Sequence, residues 1–138
     1  MKGVFLDTGY IVALESEIDQ HHGAATAHWN RFVLKGPKLV TTSFILDEVA
    51  TYMNNRGRHD IAVSVGRRFF ESPSIEFIHV DEPLFQAGWD YFRRHSDKRY
   101  SLTDCISFVV MADRVIRQAL AFDHHFEQAG FERLPETS

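Results

Sequence analysis

Four acidic residues, Asp7, Glu48, Asp104 and Asp123, stand where a carboxylate can do chemistry. Asp7 closes the apolar run Val4-Phe5-Leu6, and Asp123 closes Ala119-Leu120-Ala121-Phe122. Both runs read as buried strands, and open α/β sheets bind ligands beyond the carboxyl ends of their strands. An Asp after a strand is also an ordinary turn former or helix cap, so neither residue decides anything alone. Glu48 is more informative. At ~100° per residue, Asp47 falls on a polar arc with Thr51 and Asn54, whereas Glu48 lies beside Phe44, Ile45 and Tyr52, at the edge of the arc of Leu46, Val49 and Met53. A carboxylate on a core-facing edge is costly unless it has a partner or a cation. Asp104 opens a helix that is apolar nearly all round, through Ile106, Phe108, Val109, Val110 and Met111. Ser101-x-x-Asp104 has capping-box spacing, which explains Asp104 singly but not why four such acids converge.

Converging carboxylates bind hard cations such as Mg²⁺ or Mn²⁺, which keep several waters and accept phosphate oxygens. Without a cation they repel one another and their pKa values rise. Such a site can activate water and stabilise the oxygens of an in-line phosphoryl displacement. The chain carries no Walker loop, no Gly-x-Gly-x-x-Gly and no Gly-x-Ser-x-Gly, so nucleotide-triphosphatase, dinucleotide-binding and α/β-hydrolase readings lack support. The single cysteine, Cys105, lies inside the buried helix and reads as core.

The elements that must position these acids follow from the hydrophobic pattern. A first strand at Val4–Leu6 leads to a short helix over 10–14. His21 to Lys35 reads as an amphipathic helix with Ala24, Ala27, His28, Phe32 and Val33 on its apolar side, stopped by Gly36-Pro37. A strand at 39–41 precedes a helix over 44–55 that Thr42-Ser43 caps and Gly57 ends. A helix over 60–70, a strand over 75–80 and a helix over 81–94 follow, the last with acids and Pro83 in its first turn. The Asp104 helix is expected to reach Arg117. A strand over 119–122, a short helix near Phe126 and a last strand near 131–134 complete the chain. Strands alternating with helices predict an α/β fold with a mainly parallel sheet of four to five strands.

The 138 residues suit one domain spanning 1–138, and 44% hydrophobic content supplies a sizeable core. No apolar run approaches the ~20 residues of a membrane helix, so no membrane partner is expected. Lys2 and Asp7 flank too short an apolar run for a signal-peptide core, and the location expected is the cytoplasm. A net charge of -4 argues against a general nucleic-acid coater, leaving room for an enzyme that meets nucleic acid through a local patch and bound cations.

Phe5-Leu6-Asp7-Thr8, Leu46-Asp47-Glu48-Val49, Ser101-Leu102-Thr103-Asp104 and Ala121-Phe122-Asp123-His124-His125-Phe126, in that order, resemble the motifs of a PIN domain. Within that family the chain is most similar to the small VapC-type toxin ribonucleases, and the resemblance spans essentially the whole chain. It implies a PIN-like three-layer α/β/α domain and an Mg²⁺- or Mn²⁺-dependent endoribonuclease. It further implies a homodimer and pairing with an antitoxin protein. Carried over residue by residue, Asp7, Glu48 and Asp104 match the best established metal-site acids and Asp123 the more variable fourth. Thr8 matches the supporting hydroxyl residue after the first acid. Ala121 departs from the pattern, standing where many members have Thr or Ser, so hydroxyl support for Asp123 is missing from the sequence. The Asp7-Thr8 start is also similar to haloacid-dehalogenase phosphatases, but Gly9 replaces the second Asp that their chemistry needs.

The pairs His21-His22 and His124-His125 are expected at the surface, because adjacent side chains do not share a helix face. His124, next to Asp123, is the one placed to approach the metal edge. Arg93-Arg94-His95 and Lys98-Arg99-Tyr100 lead into the Asp104 helix. There Arg94, Lys98 and Arg99 are candidate RNA contacts and Tyr100 a candidate stacking residue; a solvated loop is the alternative. Arg67-Arg68 reads as helix surface. The rival function is a non-catalytic PIN-fold module that binds RNA or protein, since function resides in the site rather than the fold.

Overall fold

The first strand is apolar throughout because parallel strands are covered on both faces. In the computed structural model, which describes residues 3–136, β1 (Val4–Leu6) is buried along its length and lies at the centre of the sheet. The other strands are β2 (Leu39–Thr42), β3 (Ile75–Ile78), β4 (Gln118–Leu120) and β5 (Glu132–Leu134). All pair in parallel, in the order β3-β2-β1-β4-β5. Phe5 faces Val40 on one side and Ala119 on the other. Its ring packs 6.2 Å from that of Phe126. Burying a side chain of this kind contributes about 1.5–3 kcal/mol.

Helices fill the crossovers and cover the sheet as a three-layer α/β/α arrangement. They are α1 (Thr8–Glu15), α2 (His22–Phe32), α3 (Ser43–Asn55), α4 (His59–Glu71), α5 (Glu82–Arg94), α6 (Leu102–Asp113) and α7 (His125–Gln128). The caps expected from sequence are present: Thr42 accepts from the Ile45 amide and Asp81 from the Leu84 amide. Among the described residues, no helix is long and apolar enough to cross a membrane.

Three expectations shift. The inner face of α2 carries Ala25, His28, Trp29 and Phe32, while Ala24 and Ala27 are exposed. Both sets fit a helical period, and the larger Trp29 side chain outweighs two alanines in choosing what is buried. The Asp104 helix ends at Asp113 rather than 117, because Val115 turns left-handed at φ 54 and reverses the chain into β4. β4 itself stops at Leu120, so residues 121–123 leave the sheet and run over its end.

Strand order sets the location of any site. From β1 the chain winds outward through β2 to β3, then crosses back to place β4 on the other side of β1. The carboxyl ends of β1 and β4 therefore flank the point where the winding reverses, the crevice at which open α/β sheets bind ligands. The Asp7 amide donates to the Leu120 carbonyl at 3.0 Å, joining the two strand ends across that crevice.

Candidate active site

Asp7 is the residue at which β1 becomes α1, and it is only 6% exposed. Burial is the main force raising its pKa, to about 8, and the nearby charges of Asp104, Glu48 and Asp123 raise it further against a hydrogen bond from the Thr8 backbone. All three other acids singled out in the sequence thus act on Asp7.

Glu48 comes from α3. The face of Ile45, Val49 and Met53 anchors that helix in the core, which leaves Glu48 half-buried at its edge and Asp47 exposed. The Thr8 hydroxyl donates to Glu48 Oε1 at 2.6 Å. Thr8 therefore supports the site through its hydroxyl on Glu48 and its backbone on Asp7.

Asp104 enters from the first turn of α6 and is 7% exposed. The capping box is complete: the Ser101 amide donates to Asp104 Oδ2 at 3.0 Å, and the Asp104 amide donates to Ser101 Oγ at 2.9 Å. The capping and site readings of Asp104 hold together, because the cap fixes Oδ2 and leaves Oδ1 without a hydrogen bond among the described residues.

Asp123 lies in the segment that leaves β4. Its Oδ1 accepts the His125 amide at 2.9 Å, a tight turn that folds residue 125 back over residue 123. His125 Nδ1 then lies 2.9 Å from Asp104 Oδ2 and 3.2 Å from Asp123 Oδ1. One ligand atom each from Asp104, Asp123 and His125 falls within 4.8 Å of the others, a group able to hold a metal ion. Ala121 is fully buried, and the support that a hydroxyl there would give Asp123 comes instead from His125.

His125 is the residue that sequence reasoning missed. Adjacency to Asp123 favours His124, but His124 is exposed and turns to Glu127 at 3.3 Å. The available signal was Asp-x-His, in which an Asp accepting the i+2 amide brings the i+2 side chain back to itself. The other pair is half-buried rather than fully exposed: His21 stacks on Phe122 with centroids 4.3 Å apart, and His22 Nδ1 lies 2.7 Å from the Ala13 carbonyl.

The loop before α6 divides the basic run. Arg94, Lys98 and Arg99 are exposed. Tyr100 is not available for stacking on a ligand, because it is 6% exposed and packed against Phe108 and the edge of His125. Arg68 pairs with Glu15 of this chain. Cys105 is fully buried, and burial pushes its thiol up to about 11, far from a nucleophile.

The donor set fits a hard divalent cation. Burial and the neighbouring carboxylates disfavour the charged form of Asp7, a bound cation would favour it, and carboxylate oxygens suit Mg²⁺ or Mn²⁺. The single imidazole is compatible with Mn²⁺ as a further donor.

A family model described as PIN domain matches residues 4–132. The chain is 34% identical over 128 residues to the 23S rRNA-specific endonuclease VapC20 from two strains of Mycobacterium tuberculosis, covering 93% of this chain and 95% of that protein. The crystal structure of Mycobacterium tuberculosis VapC20, a Sarcin-Ricin loop cleaving toxin, superposes with a TM-score of 0.83 at 32% identity, over 94% of this chain and 96% of the other. FitAcB from Neisseria gonorrhoeae superposes with a TM-score of 0.64 at 14% identity, over 94% and 95% of the two chains, a likeness of fold alone.

Proposed function

The chain belongs to the PIN-domain family, and from that premise we propose that it is an endoribonuclease dependent on Mg²⁺ or Mn²⁺, the toxin of a toxin–antitoxin pair. The observation that carries this reading is the gathering of Asp7, Glu48, Asp104 and Asp123 around the β1–β4 crevice, with the Asp7 pKa raised by burial and by the other three.

In this reading Asp7, Glu48 and Asp104 are the principal ligands and Asp123 completes the site, with His125 holding Asp104 and Asp123 in place. A divalent cation bound there supplies the Lewis acidity that generates hydroxide from water and offsets charge on the phosphodiester. The chain's own contribution is positional. The Ser101 cap fixes one edge of Asp104, and the Thr8 hydroxyl fixes the Glu48 carboxylate. Exposed Arg94, Lys98 and Arg99 would neutralise RNA phosphates beside the acids.

The likeness to VapC20 makes 23S rRNA the first substrate to test. A cytoplasmic homodimer of single-domain chains, held by a cognate antitoxin, is part of the same proposal. The test is cleavage of purified rRNA and of mixed RNA by wild type and Asp7→Asn, in Mg²⁺, Mn²⁺ and EDTA. Cleavage by wild type with metal, lost in Asp7→Asn and in EDTA, is the expected result. Cutting by Asp7→Asn in EDTA would overturn the metal mechanism. RNA binding without cleavage in any metal would favour the non-catalytic module.

A further inference from the structure

A strip of aromatic rings runs away from the acidic site along α2, and the proposed catalytic chemistry makes no use of it. Phe122 immediately precedes Asp123 and is half-buried. His21 lies flat on it, at 4.3 Å between centroids and 4° between planes. Behind them Tyr10 is fully buried, stacked on Phe122 at 5.8 Å and bonded through its hydroxyl to His28 Nδ1 at 2.8 Å. His28 stacks on Phe32 at 5.1 Å. Positions 21, 25, 28 and 32 recur at helical spacing, so the rings line one stripe with Ala25 beneath them.

The buried part of this stripe is accounted for by packing against α1. The rest is not. His21, His28, Phe32 and Phe122 all keep part of their surface exposed. The ring nitrogens of His21 make no hydrogen bond among the described residues. Arg31 and Lys35 lie on the flank of the stripe, exposed and without an ion pair among the described residues. Both are near enough that, after burial, their charges lower the His28 pKa. Unpaired cations beside partly exposed rings are what single-stranded nucleic acid uses, the cations meeting phosphates and the rings meeting unstacked bases.

We propose that the ring stripe of Phe122, His21, His28 and Phe32, flanked by Arg31 and Lys35, binds single-stranded RNA adjoining the acidic site, with His21 as the ring on which a base stacks. Asp123 follows Phe122 directly, so a strand seated there continues into the β1–β4 crevice. The basic loop of Arg94, Lys98 and Arg99 precedes α6, and the stripe lies on α2, so the two meet the strand separately. This surface rests on the ribonuclease reading of the site.

The test is fluorescence anisotropy of a short labelled single-stranded RNA in EDTA, where binding is read without cleavage. The proteins are wild type, His21→Ala, His21→Phe and the double variant Arg31→Glu, Lys35→Glu. His21→Ala should weaken binding roughly tenfold, and His21→Phe, which keeps the ring, should restore it. The double variant should weaken binding and reduce the slope of log affinity against log salt by ~0.7 for each phosphate it no longer neutralises. A blunt RNA duplex should be indifferent to His21→Ala, since its bases are already stacked. Because both charges are exposed, the double variant reads the surface even if a ring substitution disturbs folding. Wild-type affinity and salt slope in the double variant would overturn the proposal, as would His21→Phe binding as poorly as His21→Ala. A protein that cleaves RNA with metal, but whose variants bind like wild type, loses this surface and keeps its function. One that binds through His21 yet never cleaves keeps the surface and loses the ribonuclease reading.

Discussion

Thr8 and Glu48, forty residues apart in the chain, are joined by a 2.6 Å hydrogen bond from the Thr8 hydroxyl to Glu48 Oε1. The bond ties the N-terminus of α1 to the edge of α3 and fixes the direction of one of the four site carboxylates. Thr8→Val keeps the shape and removes the donor. A hydrogen bond to a charged group contributes about 1.5–3 kcal/mol, so kcat/KM for RNA should fall about ten- to hundredfold. Thr8→Ser should recover most of the loss, whereas equal defects in the two variants would show that the hydroxyl is unimportant.

Asp7 gives the pH dependence of the metal-free protein. Its pKa stands at about 8 in the fold against an ordinary value of 3.8, so the native state holds a proton that the unfolded chain releases. The resulting stabilisation is complete below the lower value and is lost as pH rises through the higher one. In EDTA the melting temperature should therefore fall between about pH 4 and pH 8 more steeply in wild type than in Asp7→Asn. Asp7→Asn should be the more stable protein at pH 8 and should not cut RNA. Parallel pH profiles would show that Asp7 is not perturbed.

A cation that binds only the native site must stabilise it. At a hundredfold excess over Kd the gain is about 2.7 kcal/mol, which calorimetry would read as a rise of several degrees in Tm with Mn²⁺ or Mg²⁺. His125→Ala should retain less of the Mn²⁺ shift, because it loses the imidazole that holds Asp104 and Asp123 together. An unchanged shift in that variant would remove His125 from the site.

Asp47 and Glu48 are neighbours in sequence, yet only Glu48 turns toward the acids. Asp47→Asn should leave cleavage within about twofold of wild type, as surface substitutions away from special features usually change little. Glu48→Gln should abolish cleavage with the fold intact by circular dichroism. Similar losses in both would contradict the register of α3.

Val115 holds a β-branched side chain at φ 54, half-exposed at the end of α6. Such a conformation costs about 1–3 kcal/mol in a non-glycine residue. Val115→Gly should therefore raise stability in urea by about 1 kcal/mol after the entropy that glycine adds to the unfolded chain. A drop in stability would mean that the packing of the valine is worth more than its strain.

The alternation of short apolar runs with amphipathic stretches determined the α/β class, the helix order and the caps at Thr42, Asp81 and Ser101, because these depend on local propensity and period. Helical spacing alone told Asp47 from Glu48. Asp7 and Asp123 stood out at strand ends, Asp104 in a first helical turn and Glu48 by its helix face, and the resemblance to the family motifs joined the four as one site.

Tertiary structure decided the rest. Both alanine and tryptophan stripes of α2 fit a period of 3.6, and only the shape of the core selected Trp29 over Ala24 and Ala27. Tyr100 looked free beside a basic run until packing against Phe108 and His125 buried it. His125 reached the acids because an Asp123 carboxylate captured its amide, and the value of that turn depends on Asp104, which a separate helix delivers from nineteen positions earlier in the chain. Sequence periodicity reports which residues share a face. Which faces meet is fixed by packing among distant segments, and so is the charge state of a carboxylate such as Asp7 surrounded by others.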